Sequence, residues 1–322
     1  MKINDLNKMK MKTLRSKRLC AGDIIGLISP ASPVFDILKI DNAVKYLESS
    51  GYKVQRGKNI YKRNGFLAGT DIERADDINR MFADDEVKAI FCLRGGYGSG
   101  RLLPLIDYNL IKANPKIFAG YSDITALHLA LFKECKLITF SAPMPAVDFQ
   151  PPIEEYTVSH FFDLISSKNG CPTSEFHLQK GNIISNGKAG GPLLGGNLTL
   201  VTSLIGTPFL PNFKDAVLFL EEIEEAPYRI DRMLNQLSLS GLLAKISGVI
   251  LGAFTNCKGS NPEKPTLSLE EIFHNYFTKL NIPVIKNFPH GHITEFQTLP
   301  LGCPVTIDTE QKKIIFEINP VI

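Results

Sequence analysis

Between Asp23 and Met144 short apolar runs alternate with amphipathic stretches, and this rhythm limits the fold more than any other feature. DIIGLISP (23–30), YKVQRG (52–57), KAIFCLRGG (88–96), KIFAG (116–120) and KLITFSAPM (136–144) read as strands. They are short and rich in β-branched and aromatic residues. KAIFCL is apolar nearly throughout, as a strand covered on both faces must be. Helices are expected between them. FDILKIDNAVKYLESSG (35–51) stops at a glycine, and TDIERADDINRMFADDEV (70–87) opens with a Thr-x-x-Glu capping box. A third helix covers 101–113, and a fourth begins near Ser122. The order β-α-β-α predicts an α/β domain with a parallel sheet and helices on both faces.

The 322 residues are enough for two domains. The expected boundaries are a basic, unstructured tail over 1–22, an N-terminal α/β domain over 23–150, a linker over 151–189 and a C-terminal domain over 190–322. The linker assignment rests on the proline-rich SAPMPAVDFQPPIEE and the irregular polar sequence that follows one short helix, SHFFDLISSKNG. Beyond it come the strands DAVLFLEEIEE, KISGVILGAF, PVIKNF, PVTID and KIIFEI, with helices at PYRIDRMLNQLSLSGLL and LSLEEIFHNYFTKL. These predict a second, more mixed α/β domain, with GGPLLGG (190–196) as its entry turn.

Charge separates the tail from the body. Residues 1–22 carry seven Lys/Arg and one Asp, whereas the rest has 29 Lys/Arg against 32 Asp/Glu. A mildly acidic body offers no wide basic surface, so nucleic acid is not an expected partner. The apolar runs are too short to span a bilayer, and the basic start has neither the apolar core nor the cleavage site of a secretory signal. The six cysteines, at 20, 92, 135, 171, 257 and 303, form no C-x-x-C pair or zinc spacing. Free thiols in a reducing compartment are expected, with no metal.

Two features bear chemistry. The first is RGGYGSGR (94–101), placed after a buried strand, where α/β folds bind ligands. It is no dinucleotide fingerprint, because Gly96-x-Gly98 is followed by Arg101 at the third glycine position. It is no Walker A either, because Gly95-x4-Gly100 leads into Arg101-Leu102. What remains is unhindered backbone, fit for a tight turn or for an anion. The second is Gly-Tyr-Ser-Asp (120–123), a strand-to-helix joint. Ser122 there is either a helix cap or an exposed nucleophile.

A nucleophile needs a base, an orienting acid and oxyanion donors. His128, His160, His177 and His274 fall in helices or irregular polar sequence and read as packing or surface histidines. His290 and His292 lie in a loop after the strand PVIKNF, where functional groups concentrate. Glu221, Glu222, Glu224 and Glu225 stand at the end of a strand and before a helix, either favouring that helix's N-terminus or holding an imidazole.

The ordered segments LRGGYGSGRLL, AGYSDITAL, GPLLGGNLTLV, LFLEEIEEAPYRIDRML, GVILGAF and NFPHGHITEFQTLPLG resemble the LD-carboxypeptidase family of serine peptidases. That family includes murein tetrapeptide carboxypeptidases and microcin self-immunity peptidases. The resemblance runs from about residue 23 to the C-terminus. It implies a nucleophile elbow in the first domain, an active site in the interdomain groove and a Ser-Glu-His triad. The triad falls on Ser122, Glu221 and His292, with backbone N–H groups of Gly96 and Asp123 as the oxyanion hole. Arg94, at the strand end beside the glycine loop, is the candidate for binding a substrate carboxylate. Two positions depart from the family: His290 replaces a usual aromatic, which places a second imidazole near the site, and SAPM replaces His-Gly-Pro-Met.

The implied reaction is hydrolysis of the L,D-peptide bond that releases terminal D-alanine from a murein tetrapeptide, without cofactor or metal. A cytoplasmic homodimer with no membrane partner is the expected setting. Two other readings stay open: an immunity-type peptidase acting on aminoacyl-nucleotide peptides, and a non-catalytic muropeptide binder using the glycine loop.

Overall fold

A computed structural model describes residues 13–168, 175–259 and 265–322. Among the described residues fourteen strands, numbered β1–β14 in chain order, fall into two sheets belonging to two units. One unit holds residues 13–168, 297–302 and 319–322, and the other holds 175–259, 265–296 and 303–318.

The first unit is built on β1 (Ile24–Ile28), β2 (Lys53–Arg56), β3 (Val87–Cys92), β4 (Ile117–Ala119) and β5 (Thr139–Ser141), all parallel in the order 2-1-3-4-5. The expected parallel sheet is present. Its strand order reverses between β1 and β3, so the chain leaves these two neighbours in opposite directions and opens a crevice beyond their carboxyl ends. The loop after β1 and the glycine loop after β3 line that crevice, tied by Ser32 N–H donating to the Gly95 carbonyl (3.4 Å). A sixth strand, β12 (Leu299–Leu301), joins β5 antiparallel. It returns from the far end of the sequence, a pairing no local pattern announces.

Two expected boundaries are corrected. Residues 13–22 are not a free tail. Leu14 exchanges backbone hydrogen bonds with Lys136 and Ile138, Leu19 N–H donates to Ile165 and Leu19 is buried. Backbone pairing at Leu14 and burial of Leu19 hold this segment despite the surrounding charge, and residues 1–12 lie outside the described set. Nor is the helical part of the expected 151–189 linker a free connection, and residues 169–174 lie outside the described set. Helix Glu155–Ser166 buries Val158, Phe161, Leu164 and Ile165 in the first unit's core, where Phe161 and Phe162 pack on Phe91 and Phe149. The period of those apolar residues is helical, and such a stripe needs a partner surface.

The second unit's sheet runs β6 (Glu175–His177), β14 (Lys313–Phe316), β13 (Pro304–Asp308), β8 (Lys188–Asn197), β9 (Val217–Ile223), β10 (Gly248–Thr255), β11 (Val284–Ile285), β7 (Ile183–Ser185). It is mixed, as expected: β8 to β11 are parallel and the outer strands antiparallel. GGPLLGG is not a turn but the body of β8. Its first half pairs with β13 and its second half with β9. A Cβ on Gly195 would sit 1.9 Å from the Phe219 carbonyl oxygen, so the close approach of these strands needs the glycine.

Candidate active site

The expected nucleophile follows β4. After Ala119 the chain turns through Gly120 and Tyr121 into a 3-10 turn, Ser122–Ile124, and then helix Thr125–Cys135. Ser122 holds φ +64°, a left-handed conformation costing an L-residue about 1–2 kcal/mol. Such strain at a serine is characteristic of an elbow that exposes the hydroxyl, and it is not how an N-cap sits, since caps are extended.

Buried His128 braces the elbow from below. Its Nε2 is 2.7 Å from the Gly120 carbonyl and its Nδ1 is 2.9 Å from the Thr139 hydroxyl. A carbonyl only accepts, so Nε2 carries the proton and Nδ1 accepts from Thr139. Burial pushes its pKa down to about 4, which keeps this neutral tautomer. Sequence alone marked His128 as a packing residue. Its position, eight residues after the glycine it bonds, is a signal visible only once the elbow is known.

The glycine loop closes on the serine from above. A Cβ on Gly95 would lie 2.9 Å from Ser122 Cβ, 3.1 Å from its Oγ and 3.3 Å from the Asp123 nitrogen. Only glycine admits this approach. Gly96, expected as an oxyanion donor, holds φ +110°, and a Cβ there would strike Ser32 Oγ at 2.4 Å. Ser32 Oγ accepts from Tyr97 N–H (3.1 Å), which fixes the loop's outer turn. The sequence marked Gly95 only as part of the glycine loop and Ser32 not at all, although both lie in loops after adjacent strands at a reversal of strand order, where such residues are to be sought.

Asp123 does not cap its own helix. Its carboxylate accepts from Ser99 N–H (2.8 Å), and Ser99 Oγ donates to the Asp123 carbonyl (2.5 Å). Burial raises its pKa against these hydrogen bonds. Arg94 leans on the loop after β1, donating to the Pro33 carbonyl (3.3 Å), while its Nε is buried with no hydrogen-bond partner among the described residues.

The expected acid and base belong to the second unit. Glu221 and Glu222 are consecutive in β9, and successive strand side chains face opposite ways. Glu221 turns toward the loop after β11 and is 2% exposed. Its Oε2 lies 2.8 Å from His292 Nδ1. The carboxylate accepts, so Nδ1 carries the proton and Nε2 is left as the basic nitrogen. Glu221 Oε1 is buried with no hydrogen-bond partner among the described residues. Glycine again makes the room, since a Cβ on Gly291 would lie 3.2 Å from Glu221 Oε2. Thr255 Oγ1 donates to the His292 carbonyl (2.8 Å) and fixes the loop.

Glu222 points the other way, into a set of donors. It accepts from Asn197 Nδ2 (2.7 Å), from Thr199 N–H (2.9 Å) and hydroxyl (2.7 Å), and from Ile223 N–H (2.9 Å). Burial raises its pKa against these bonds. It is a structural carboxylate at the head of helix Leu198–Ser203. His290, two residues before His292, is an aromatic-packed residue. It is fully buried, its ring edge-on to Phe219 (5.2 Å) and Phe296 (5.3 Å). Its ring packs there as an aromatic side chain would.

The geometry therefore assembles two groups: Ser122, Asp123, Gly95, Gly96 and Arg94 in one unit, Glu221 and His292 in the other. Among the described residues no cluster of three or more His, Cys, Asp or Glu could hold a metal, and no helix is long and apolar enough to cross a membrane. Family models match both parts of the chain. Residues 25–142 match the LD-carboxypeptidase N-terminal domain and residues 190–307 the LD-carboxypeptidase C-terminal domain. The chain belongs to the LD-carboxypeptidase family. It is 40% identical over 304 residues to the probable murein peptide carboxypeptidase of Bacillus subtilis, covering 94% of each chain. Among solved structures, the muramoyltetrapeptide carboxypeptidase of Oxalobacter formigenes superposes with a TM-score of 0.80 at 32% identity, over 90% of this chain and 97% of that one. The Microcin C7 self immunity protein MccF, wild type and apo, superposes at 0.86 and 28% identity, over 95% of this chain and 99% of that one. The resemblance drawn from the six segments is thus borne out, as is the two-domain α/β fold.

Proposed function

We propose that this LD-carboxypeptidase is a serine peptidase that removes the terminal D-alanine from murein tetrapeptides, with Ser122 as nucleophile, His292 as base and Glu221 as orienting acid. The observation that carries the reading is the Glu221–His292 pair, a buried carboxylate that fixes one imidazole tautomer and leaves Nε2 basic. His292 Nε2 takes the Ser122 proton as Oγ bonds to the carbonyl carbon of the L,D-peptide bond. Backbone N–H groups of Asp123 and Gly96 hold the oxyanion, each donor worth about 3 kcal/mol in comparable sites. The C–N bond then breaks, the proton passes from His292 to the departing amine, and water resolves the acyl-enzyme by the same route reversed. Arg94 is assigned to the substrate's free carboxylate, supported by its partly unsatisfied guanidinium beside the glycine loop. The chemistry calls for no metal or organic cofactor.

The murein substrate is favoured over an aminoacyl-nucleotide peptide by the 40% identity to a murein peptide carboxypeptidase. A cytoplasmic setting is supported by five free cysteines among the described residues, four of them buried. A homodimer is the assembly to be tested, by sedimentation. Mass spectrometry of a muropeptide mixture decides the activity: tetrapeptides should each lose one alanine, and tri- and pentapeptides should persist. Intact tetrapeptides alongside a cleaved aminoacyl nucleotide would move the chain to the immunity branch. Binding without turnover of either would make it a non-catalytic muropeptide binder.

A further inference from the structure

Arg74 lies in helix Asp71–Ala83, and its side chain is wholly buried. A buried guanidinium is costly unless its donors and charge are met. Its partners come from three separate segments. Nη1 donates to the Pro30 carbonyl (2.5 Å) in the loop after β1 and to the Gly98 carbonyl (2.9 Å) in the glycine loop. Nη2 donates to Asp71 Oδ1 (2.5 Å). Its Nε is buried with no hydrogen-bond partner among the described residues.

The charges form a chain. Asp71 also takes the fork of Arg101, through Nε (2.9 Å) and Nη2 (2.8 Å), so one carboxylate serves two guanidinium groups. Beyond Asp71, the Asp123 carboxylate also attracts the Arg74 guanidinium, more weakly. Asp123 in turn holds Ser99 N–H. The peptide between Gly98 and Ser99 is therefore gripped from both sides, its carbonyl by Arg74 and its N–H by Asp123. Asp123 directly follows the nucleophile, and the same loop brings Gly95 against Ser122 Oγ.

We propose that Arg74 is a positioning residue: by fastening Pro30 and Gly98 to one rigid helix, it sets the pose of the glycine loop that stabilises charge on the oxygen of the reacting carbonyl at Ser122. This rests on the serine-peptidase reading above. Arg94, at the end of β3, meets the substrate carboxylate in the ground and tetrahedral states alike, whereas the N–H groups of the loop meet full charge only in the tetrahedral state. The effect belongs in kcat.

The test uses the full chain as wild type, Arg74→Lys and Arg101→Met, with active sites titrated. Four quantities are read: kcat and KM on a murein tetrapeptide, inhibition by a peptide boronate that forms a tetrahedral adduct with serine, and affinity for a tetrapeptide whose scissile amide is reduced. Arg74→Lys keeps the charge but loses the fork. It should lower kcat about 10- to 100-fold and weaken the boronate in parallel. KM and affinity for the reduced peptide should stay within about 3-fold. A kcat per titrated site equal to wild type, or equal weakening of both inhibitors, overturns the proposal, since a merely structural role would lower melting temperature and active fraction instead. If Arg74→Lys fails to fold, Arg101→Met decides, because Arg101 is 49% exposed at the outer end of the chain. It should show a smaller loss confined to kcat, and an unchanged kcat overturns the proposal. An inert wild type would instead sink the hydrolase reading, and this inference with it.

Discussion

The surroundings of Ser122 in the first unit and of His292 in the second are built by different means. Around Ser122 the work is done by backbone: a left-handed serine, glycines that let one loop touch another, and carbonyls bound by buried His128 and Arg74. Around His292 it is done by one side-chain pair, Glu221 with Nδ1, backed by a glycine and a threonine. A backbone-built site tolerates few substitutions but spreads its cost over many residues. A side-chain-built site concentrates function in two groups whose neighbours can vary. The contrast predicts that single mutations separate sharply in the second unit and blur in the first.

The largest expected effect is loss of the acyl-transfer chemistry itself. Ser122→Ala and His292→Ala should each lower kcat by about 10⁴-fold or more, and the double mutant should be no worse than either, because the groups act as a unit. Steady-state assays of D-alanine release check this. Multiplying losses in the double mutant would mean that the two residues act independently, which breaks the triad.

Next come the adjacent glutamates. Glu221→Gln should lower kcat by about 10³- to 10⁴-fold with little change in folding, because an amide cannot hold the same imidazole tautomer. Glu222→Gln should do the reverse. Its new NH₂ group would face Asn197, Thr199 or Ile223 donors, at a cost of about 1–3 kcal/mol of stability, with kcat changed less than tenfold. Assays paired with urea denaturation separate the two, and equal kinetic losses would show that β9's alternation does not divide function from structure.

How much of this was legible follows the same division. Residue periodicity gave the parallel sheet because its neighbouring strands, β1 and β3 apart, are also consecutive in the rhythm of the chain. It could not give β12, which pairs with β5 from about 160 residues away, nor the seating of Leu14 beside Lys136. GGPLLGG read as a turn because glycine serves turns more often than it serves close strand contact, and only Asp215 and Phe219 reveal the need. Glu221 was assigned by resemblance. Its separation from Glu222 is a matter of strand parity, which a sequence contains but which means nothing until the partners on each face are known. Arg74 sits among Ala75, Ile78 and Met81 on a helix, and a lone cation beside an apolar stripe gives no hint of the carbonyls it meets.

His128 offers a test of the backbone-built half by pH. Its pKa near 4 in the fold lies below the ordinary 6.5. Above pH 6.5 it is neutral in both states and its contribution is whole. As pH falls toward 4 the unfolded chain binds the proton first, so stability is lost, up to about 3 kcal/mol. Buried Asp123 and Glu222, whose pKa values are raised, act with the opposite sign, because protonation relieves their burial. The clean observable is the stability difference between wild type and His128→Gln, which should shrink between pH 7 and pH 5. A difference constant with pH would show that His128 is not held neutral.

The smallest expected effect compares the units as folding entities. Each carries one capping box on an exposed helix start: Thr70 with Glu73 in the first unit, Ser268 with Glu271 in the second. Both hydroxyls accept from the backbone N–H three residues on, at 3.3 and 3.2 Å. The two caps are chemically alike, so Thr70→Ala and Ser268→Ala should each cost about 1 kcal/mol. For units of this size that is a fall of about 2–4 °C. Where the substitutions differ is in which transition they move. If the units unfold separately, Thr70→Ala shifts one calorimetric peak and Ser268→Ala the other. If they unfold as one, both shift a single peak equally, because a cooperative transition averages local costs. A shift from one cap and none from the other within a single peak would mean that the silent cap's helix has already frayed before the transition.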